Sequence, residues 1–593
     1  MKKFVSAYGS TTRRNVVVIT LLLFTAMVLS RVVYLQVEHG HFLVGKGNSR
    51  YIRTKKTIPL RGTITDRKGI PLAVSTPVSS LWATSYRLAE NPNNVKKLAF
   101  ILNISPERLN KRLAKVSERR KKSLNAGKHD AGFMYLRRGL SPADAQKIMD
   151  EKIPGVHSMR EYRRFYPSGA VDSQILGFNN IDDQGLQGLE MMYNGWLAGT
   201  PGKSQVIQDA TGNIVDILKE ISPPVPGRDL KLTIDNRLQY ITHAALLGAW
   251  QKNNANSATA VMLDARTSEV LAMTSVPSGN PNKPSQRKQE LLKNRAMTDT
   301  FEPGSTVKSF AIAAALKAGV VTPETEFDIQ HGFYRIGRNR IRDTHDHGSF
   351  LSVAEIIQKS SNVGTCKVAM TMPKTTLHDM YRALGFGQKS QIAFTGEAKG
   401  VLNRFARLDD FSYCTNAFGY GVSVTALQLA QAYATLANDG IKIPVSLVKR
   451  DILPEGERIM PEQVAKQVKH MIAMAVEKEG TGKMSTQGIY IQDYRVGGKT
   501  GTAHKVINGS YSKHDYFSVF AGMAPMNNPR IVMVIMIDNP RSGVYYGGQV
   551  AAPVFADIVG KSLRILGVSP DRPTHPTIDK MPVVEVADRL LSR

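Results

Sequence analysis

The sequence predicts a protein of the mixed α/β (α+β) class in three parts. These are a single membrane-crossing helix, a mixed α+β domain, and a C-terminal domain built on an antiparallel sheet covered by helices. Three observations predict it. Residues 16–30 are continuously apolar or small and continue, past Arg31, through Val32-Val33-Tyr34-Leu35-Gln36-Val37. Ser222-Pro223-Pro224-Val225-Pro226-Gly227 is a stiff linker that marks a domain boundary. Beyond it strands come first and last with helices between, the order of a sheet covered on both faces.

The N-terminal element follows from length and charge. Residues 16–30 alone make about 22 Å of helix, short of a hydrocarbon core of about 30 Å. Residues 16–37 suffice if Arg31 snorkels or faces a partner helix. Lys2, Lys3, Arg13 and Arg14 precede the apolar run, so residues 1–15 are expected to stay in the cytoplasm and the remainder to be exported. No small-x-small cleavage site ends the run, and Tyr34 suits an interfacial anchor, so an uncleaved anchor is expected rather than a signal peptide.

Residues 38–227 have mixed character. Arg61-Gly62-Thr63-Ile64-Thr65-Asp66-Arg67-Lys68-Gly69 reads as a strand, a turn at Lys68-Gly69 and a return. Residues 96–128 read as helical and strongly basic, a solvated face rather than a binding patch. The glycines and the acid of Gly185-Leu186-Gln187-Gly188-Leu189-Glu190 suit a structural junction. In residues 228–568, 230–234 alternate as a strand, 236–251 read as a helix, and 258–263 with 269–276 form a hairpin. Helices are expected over 352–370 and 423–438, and strands over 494–496, 498–502, 517–523 and 531–537. Residues 569–593 are proline-punctuated and read as an extended tail.

At 593 residues the chain exceeds a single core. Its 78 basic against 49 acidic residues give +29, but these are not gathered into a nucleic-acid motif. A protein facing anionic lipid or an acidic polymer explains the excess, and no nucleic-acid partner is expected. Cys366 and Cys414 make neither a disulfide scaffold nor a zinc site and read as buried small apolar residues.

The chemistry centres on Phe301-Glu302-Pro303-Gly304-Ser305-Thr306-Val307-Lys308. On a helix Ser305 and Lys308 share a face. The run from Val307 to Leu316 is apolar almost all round, which predicts a buried helix. Burial disfavours the charged form of Lys308 and fits it to act as a base, and Ser305 at the helix N-terminus is then a candidate nucleophile. The spacing alone is cheap, because Ser285/Lys288, Ser446/Lys449 and Ser510/Lys513 share it. Company decides it: Ser360-Ser361-Asn362 and Lys499-Thr500-Gly501-Thr502 follow in order. Ser360 can relay a proton to a leaving amine, and Asn362 can hold both Lys308 and a substrate amide. Lys499 adds a charge that depresses the pKa of Lys308 and attracts a carboxylate. Gly501 leaves room for a peptide to lie beside an edge strand, and Thr500, Thr502 and Ser361 are candidate substrate contacts. The backbone N–H groups of Ser305 and Thr502 are candidates for an oxyanion hole. No metal or organic cofactor is expected.

These three motifs in this order resemble the set of penicillin-binding proteins and class A β-lactamases. The resemblance covers nearly the whole chain and is to class B penicillin-binding proteins, most closely the division-specific (FtsI-type) peptidoglycan D,D-transpeptidases. It rests also on Arg61 to Gly69, on Gly188-x-Glu190, on Phe418-Gly419-Tyr420-Gly421 and on Tyr545-Tyr546-Gly547-Gly548 with Val550-Ala551-Ala552-Pro553. Ser173-Gln174 depart from it where a histidine is expected, and the tail matches nothing in the family. The resemblance implies a pedestal over 38–227, a transpeptidase domain over 228–568, and an inner-membrane location with the catalytic domain periplasmic. It implies that Ser305 cleaves D-Ala-D-Ala of one stem peptide and passes the acyl group to the amine of another. It also implies acylation by β-lactams and an FtsW-type glycan polymerase and other divisome membrane proteins as partners. Elongation-type transpeptidases and a division scaffold with a degenerate site are the rival readings. A β-lactamase would need a deacylating glutamate, and Glu397 with Leu402-Asn403 has the wrong spacing.

Overall fold

The computed structural model describes residues 8–126, 132–208, 214–476 and 489–572. The chain separates into two compact units. One is residues 1–60, 77–163 and 199–227; the other is 61–76, 164–198 and 228–593. A single cut at Gly227 therefore does not describe the packing, because two segments of the expected pedestal belong to the second unit.

In the first unit a helix over Tyr8–Val33 continues as a π-helical turn, Tyr34–Glu38. Residues 11–38 are apolar enough and long enough to cross a membrane, and none of that span is buried against protein. Strands Ile52–Thr57, Gly202–Gln208 and Ile214–Ser222 form an antiparallel three-stranded sheet. The basic stretch is two helices, Pro92–Ile101 and Pro106–Asn125, rather than one. Asn103 at φ 53° breaks it, and Ser105 caps the second helix ahead of Pro106. Leu98, Leu109 and Leu113 pack with Leu81, Met134 and Ile148 in a small separate core.

The second unit is organised on five antiparallel strands in the order Val270–Val276, Ser257–Asp264, Ile531–Asp538, Ser510–Ala524, Gly497–Ile507. Alternate residues go to opposite faces, as the pleat requires. Phe520, Met533 and Ile535 join Leu246 of the Asn236–Lys252 helix and Phe555 of the Ala552–Ile565 helix in one core. Val519, Ala521, Val532 and Val534 face the other way, into the core that holds helices Lys308–Lys317 and Ala426–Ala437. Helices thus cover both faces of an antiparallel sheet, as expected. The strand at 230–234 is shorter than expected, Leu230–Lys231, with Leu232 making only an isolated bridge.

Three further findings position the site. The helix expected over 352–370 is broken into Val353–Lys359 and Asn362–Met370, with Ser360 left-handed at φ 61° between them. Arg61, Arg164 and Glu190 form a buried ion cluster in the second unit, with Nε–Oε distances of 2.8 and 2.6 Å, so the acid read as structural is structural. Gln174, at the family's departure point, accepts a bond from Ser275 N of the sheet at 2.9 Å. The expectation for the cysteines needs correction. Both are buried, but Cys366 and Cys414 are joined in a disulfide that ties helix Asn362–Met370 to helix Asp410–Ala417. Two cysteines separated by 48 residues of sequence carry no pairing signal, and only the packing of those helices brings them together. The extended tail expected from residue 569 falls almost wholly on residues 573–593, outside the described residues.

Candidate active site

Ser305 lies half-buried in a short 3-10 turn, Gly304–Val307, that leads into helix Lys308–Lys317. Gly304 has φ 53°, which suits glycine, and its N–H bonds to Gly419 O at 3.2 Å. A Cβ on Gly419 would stand 2.1 Å from Gly304 O, so the two glycines permit this close approach. In the helix, Lys308 through Leu316 are all buried, which confirms the all-round apolar reading.

Lys308 carries the second motif to the first. Its Nζ donates to Ser360 O at 2.6 Å and to Asn362 Oδ1 at 2.7 Å, with Ser360 Oγ at 3.4 Å. The left-handed Ser360 turns its carbonyl toward the lysine, so the helix break is part of the site. Burial holds the Lys308 pKa well below the usual lysine value; the nearby Lys499 charge lowers it further, and Asp343 opposes. Lys499 is fully buried, and burial pulls it down to about 7. Its Nζ has no hydrogen-bond partner among the described residues.

The third motif lies on the sheet edge strand Gly497–Ile507, paired on one side only, where Gly501 faces Val519 and Thr502 faces Ser518. Buried Lys499, Gly501 and Ala503 alternate with half-exposed Thr500 and Thr502. A Cβ on Gly501 would stand 2.6 Å from Pro303 O and 3.0 Å from Thr306 Cγ2. The missing side chain therefore admits the serine turn against the strand; it does not open the strand to a peptide, which corrects the expected reason for this glycine. A Cβ on Gly304 would lie 3.6 Å from Thr502 N, so the turn bearing Ser305 sits beside Thr502. Thr502 Oγ1 accepts from Gly547 N at 3.0 Å. All three motifs converge.

The expectation that Ser361 contacts substrate is corrected too. Ser361 is fully buried, accepts from Gly364 N at 2.8 Å as the helix N-cap, and donates its one hydroxyl proton to Asp343 at 2.6 Å, so it does not face substrate. Asn362 is also more occupied than expected, since its Nδ2 donates to Arg342 O at 2.8 Å.

Two residues take part that motif reasoning did not weigh for chemistry. Asp343 accepts from Ser361 Oγ, from Asn362 N at 2.5 Å and from Val363 N at 2.9 Å, a carboxylate at a helix N-terminus. The only signal for it is an aspartate after a strand in Arg342-Asp343-Thr344-His345, which spacing cannot connect to residues 361–363. Glu302, three residues before Ser305, accepts from Gly421 N at 2.7 Å and Tyr511 Oη at 3.2 Å, while burial raises its pKa. An acid beside a Pro-Gly turn was its signal.

This arrangement can take a proton from a serine hydroxyl, hold the resulting ammonium between two oxygens, and present a second cation. The comparisons with known proteins agree with it. Residues 258–560 match the penicillin binding protein transpeptidase domain, and residues 56–232 match the penicillin-binding protein dimerisation domain. The peptidoglycan D,D-transpeptidase FtsI of Escherichia coli K12 is 38% identical over 556 residues, covering 93% of this chain and 91% of the relative. The probable peptidoglycan D,D-transpeptidase PenA of Neisseria meningitidis is 36% identical over 96% of this chain and 95% of the relative. Among solved structures, the transpeptidase domain of Burkholderia pseudomallei penicillin-binding protein 3 is 38% identical with a TM-score of 0.53, covering 58% of this chain and 98% of that one. Penicillin-binding protein 3 of Mycobacterium tuberculosis, complexed with aztreonam, is 25% identical with a TM-score of 0.66, covering 88% and 99%. The chain belongs to the class B penicillin-binding proteins. Within them it is of the FtsI type, a serine-type D,D-transpeptidase.

Proposed function

We propose that the chain cross-links peptidoglycan stem peptides at the division septum through an acyl-enzyme on Ser305. The carrying observation is a fully buried Lys308, its pKa depressed, held by Ser360 and Asn362 one helical turn from Ser305. Neutral Lys308 accepts the Ser305 proton as Oγ bonds to the penultimate D-alanine carbonyl carbon. The N–H groups of Ser305 and Thr502 stabilise the oxyanion. As the tetrahedral centre collapses, the peptide C–N bond breaks and the proton passes through Ser360 to the departing D-alanine amine. The amine of a second stem peptide then attacks the ester, its proton returns to Ser305 Oγ, and the cross-link leaves. The Thr500 and Thr502 hydroxyls receive the donor carboxylate, which buried Lys499 attracts through its charge rather than by contact.

In this reading residues 38–227 form the pedestal, of which 61–76 and 164–198 pack within the unit that holds the catalytic domain, 228–568; residues 1–15 are cytoplasmic and those beyond the membrane-crossing helix periplasmic. The helix also serves as a contact for an FtsW-type polymerase, because Arg31 and Gln36 lie within its span. Arg31 has one internal partner already, the Tyr34 ring at 5.2 Å. Exchanging residues 16–37 for an unrelated anchor should abolish division and co-purification with the polymerase; normal division would leave snorkelling as the whole explanation. The catalytic reading is tested by muropeptide analysis of un-cross-linked strands incubated with the purified chain. Wild type should produce dimers with release of D-alanine and Ser305→Ala should produce none. Dimers formed by Ser305→Ala, or none formed by an enzyme that binds penicillin, would contradict it.

A further inference from the structure

Beside the catalytic cluster stands a short antiparallel hairpin, Phe333–Ile336 and Asn339–Arg342, closed by Gly337-Arg338 with Gly337 at φ 58°. Its register pairs Tyr334 with Ile341 and Ile336 with Asn339 on one face, where Ile341 is buried. The other face carries Phe333 opposite Arg342 and Arg335 opposite Arg340, all four exposed. Arg338 adds a fourth exposed guanidinium at the tip.

Like charges directly across a ladder destabilise a hairpin. None of the four arginines forms an ion pair with an acid among the described residues. Arg335 donates only to Gly337 O at 3.0 Å, and Arg342 lies over the Phe333 ring at 5.6 Å. The acids nearest in sequence are engaged elsewhere, Asp343 with Ser361 and Asp346 with His331. A two-stranded ribbon has little core of its own, so retaining four uncompensated cations on it points to an anion from outside. Arginine suits carboxylates, because its planar fork donates two parallel hydrogen bonds.

The hairpin is continuous with the reaction centre. Arg342 O accepts from Asn362 Nδ2, the same side chain whose Oδ1 holds Lys308, and the next residue, Asp343, clamps the turn that carries Asn362. An anion held at the Arg342 end of this face would therefore lie one residue from the Asp343–Asn362 clamp. A second copy of this chain is a poor occupant, since each copy carries +29.

We propose that the outward arginine face of this hairpin binds the free carboxylates of the acceptor stem peptide and so holds its amine near the acyl-enzyme. This rests on the cross-linking reading above and adds to it a docking surface for the second substrate. Arg335, Arg338 and Arg340 are positioning residues here; the reacting atoms are untouched.

The test uses the full-length chain in detergent, with Ser305→Ala added so that bound wall is not turned over. Co-sedimentation with isolated peptidoglycan sacs is compared with sacs whose carboxylates have been amidated. The Arg335→Glu/Arg340→Glu variant should bind native sacs about tenfold more weakly, the loss of one good charge-assisted contact. Amidated sacs should bind both forms equally. Arg335→Glu alone controls for folding, because it creates a cross-strand Glu–Arg pair that favours the hairpin while reducing its charge. With Ser305 restored, this variant should keep its melting temperature and its penicillin acylation rate while acceptor cross-linking falls. Equal binding of both forms to native sacs overturns the proposal. So does loss of penicillin acylation together with cross-linking, which would make the hairpin structural. Normal binding and cross-linking in vitro with failed division in cells would assign the face to an acidic protein instead. Because sac binding needs no turnover, a failure of the cross-linking reading would leave this result independently readable.

Discussion

Asp343 offers a test of how the site is held. Replacing it with alanine removes the acceptor for Ser361 Oγ at 2.6 Å, Asn362 N at 2.5 Å and Val363 N at 2.9 Å. Hydrogen bonds to a charged group contribute roughly 1.5–3 kcal/mol each, and water entering the vacated space recovers most of that. A net loss of about 2 kcal/mol in holding Asn362 against Lys308 corresponds to acylation slowed about 30-fold. Charge adds a second signature. Asp343 opposes the depression of the Lys308 pKa, so removing its charge lowers that pKa further. In the proposed mechanism the working base is neutral Lys308, hence the acid limb of the rate profile should move to lower pH while the plateau falls. Asp343→Asn keeps the shape and one acceptor, and should show the same displacement with a smaller loss of rate. The assay is the second-order rate constant for acylation by a fluorescent penicillin between about pH 5 and pH 9. Acylation within about twofold of wild type in the alanine variant, or a limb displaced toward higher pH, would refute the reasoning.

Three further outcomes are expected. Lys308→Arg should be inactive in acylation although it keeps the charge, because a guanidinium does not give up its proton in a protein; a rate within a few fold of wild type would place the base elsewhere. Lys499 has a folded pKa of about 7 against an ordinary 10.5, so the unfolded chain binds more protons between those values. Stability of wild type relative to Lys499→Met should therefore rise with pH from about 7 to about 10.5 and stay flat below, as read by urea midpoints; a difference that falls over that window would contradict the burial of this lysine. Opening the disulfide by Cys366→Ala/Cys414→Ala frees a 48-residue loop in the unfolded chain and should cost about 2–4 kcal/mol in denaturant unfolding, with an unchanged midpoint as the contrary result.

What could be read from the chain depended on how far apart the information lay. The buried helix after Ser305 is written in ten consecutive residues, and 258–263, 517–523 and 531–537 are short, mostly apolar runs, the local mark of strands covered on both faces. The convergence of the three motifs came from resemblance, since nothing in their spacing brings Lys308 to Asn362. Ser360 reads as the interior of a helix because its left-handed conformation has no glycine to announce it. Ser361 reads as a substrate contact because a buried N-cap serine and an exposed one look alike in sequence. The motif suggests that Gly501 makes room for substrate, whereas Pro303 and Thr306 occupy that space. The disulfide and the Asp343 clamp join residues whose proximity depends on tertiary packing, and local pattern carries no record of either.

The site of acylation tests the role of Ser305 most directly. The purified chain is incubated with benzylpenicillin, its intact mass is measured, and the modified peptide is sequenced by tandem mass spectrometry. One adduct per chain is expected, carried by Ser305 and absent from Ser305→Ala at unchanged melting temperature. An adduct on any other residue, or one that persists in Ser305→Ala, would contradict the assignment of Ser305 and Lys308 as nucleophile and base.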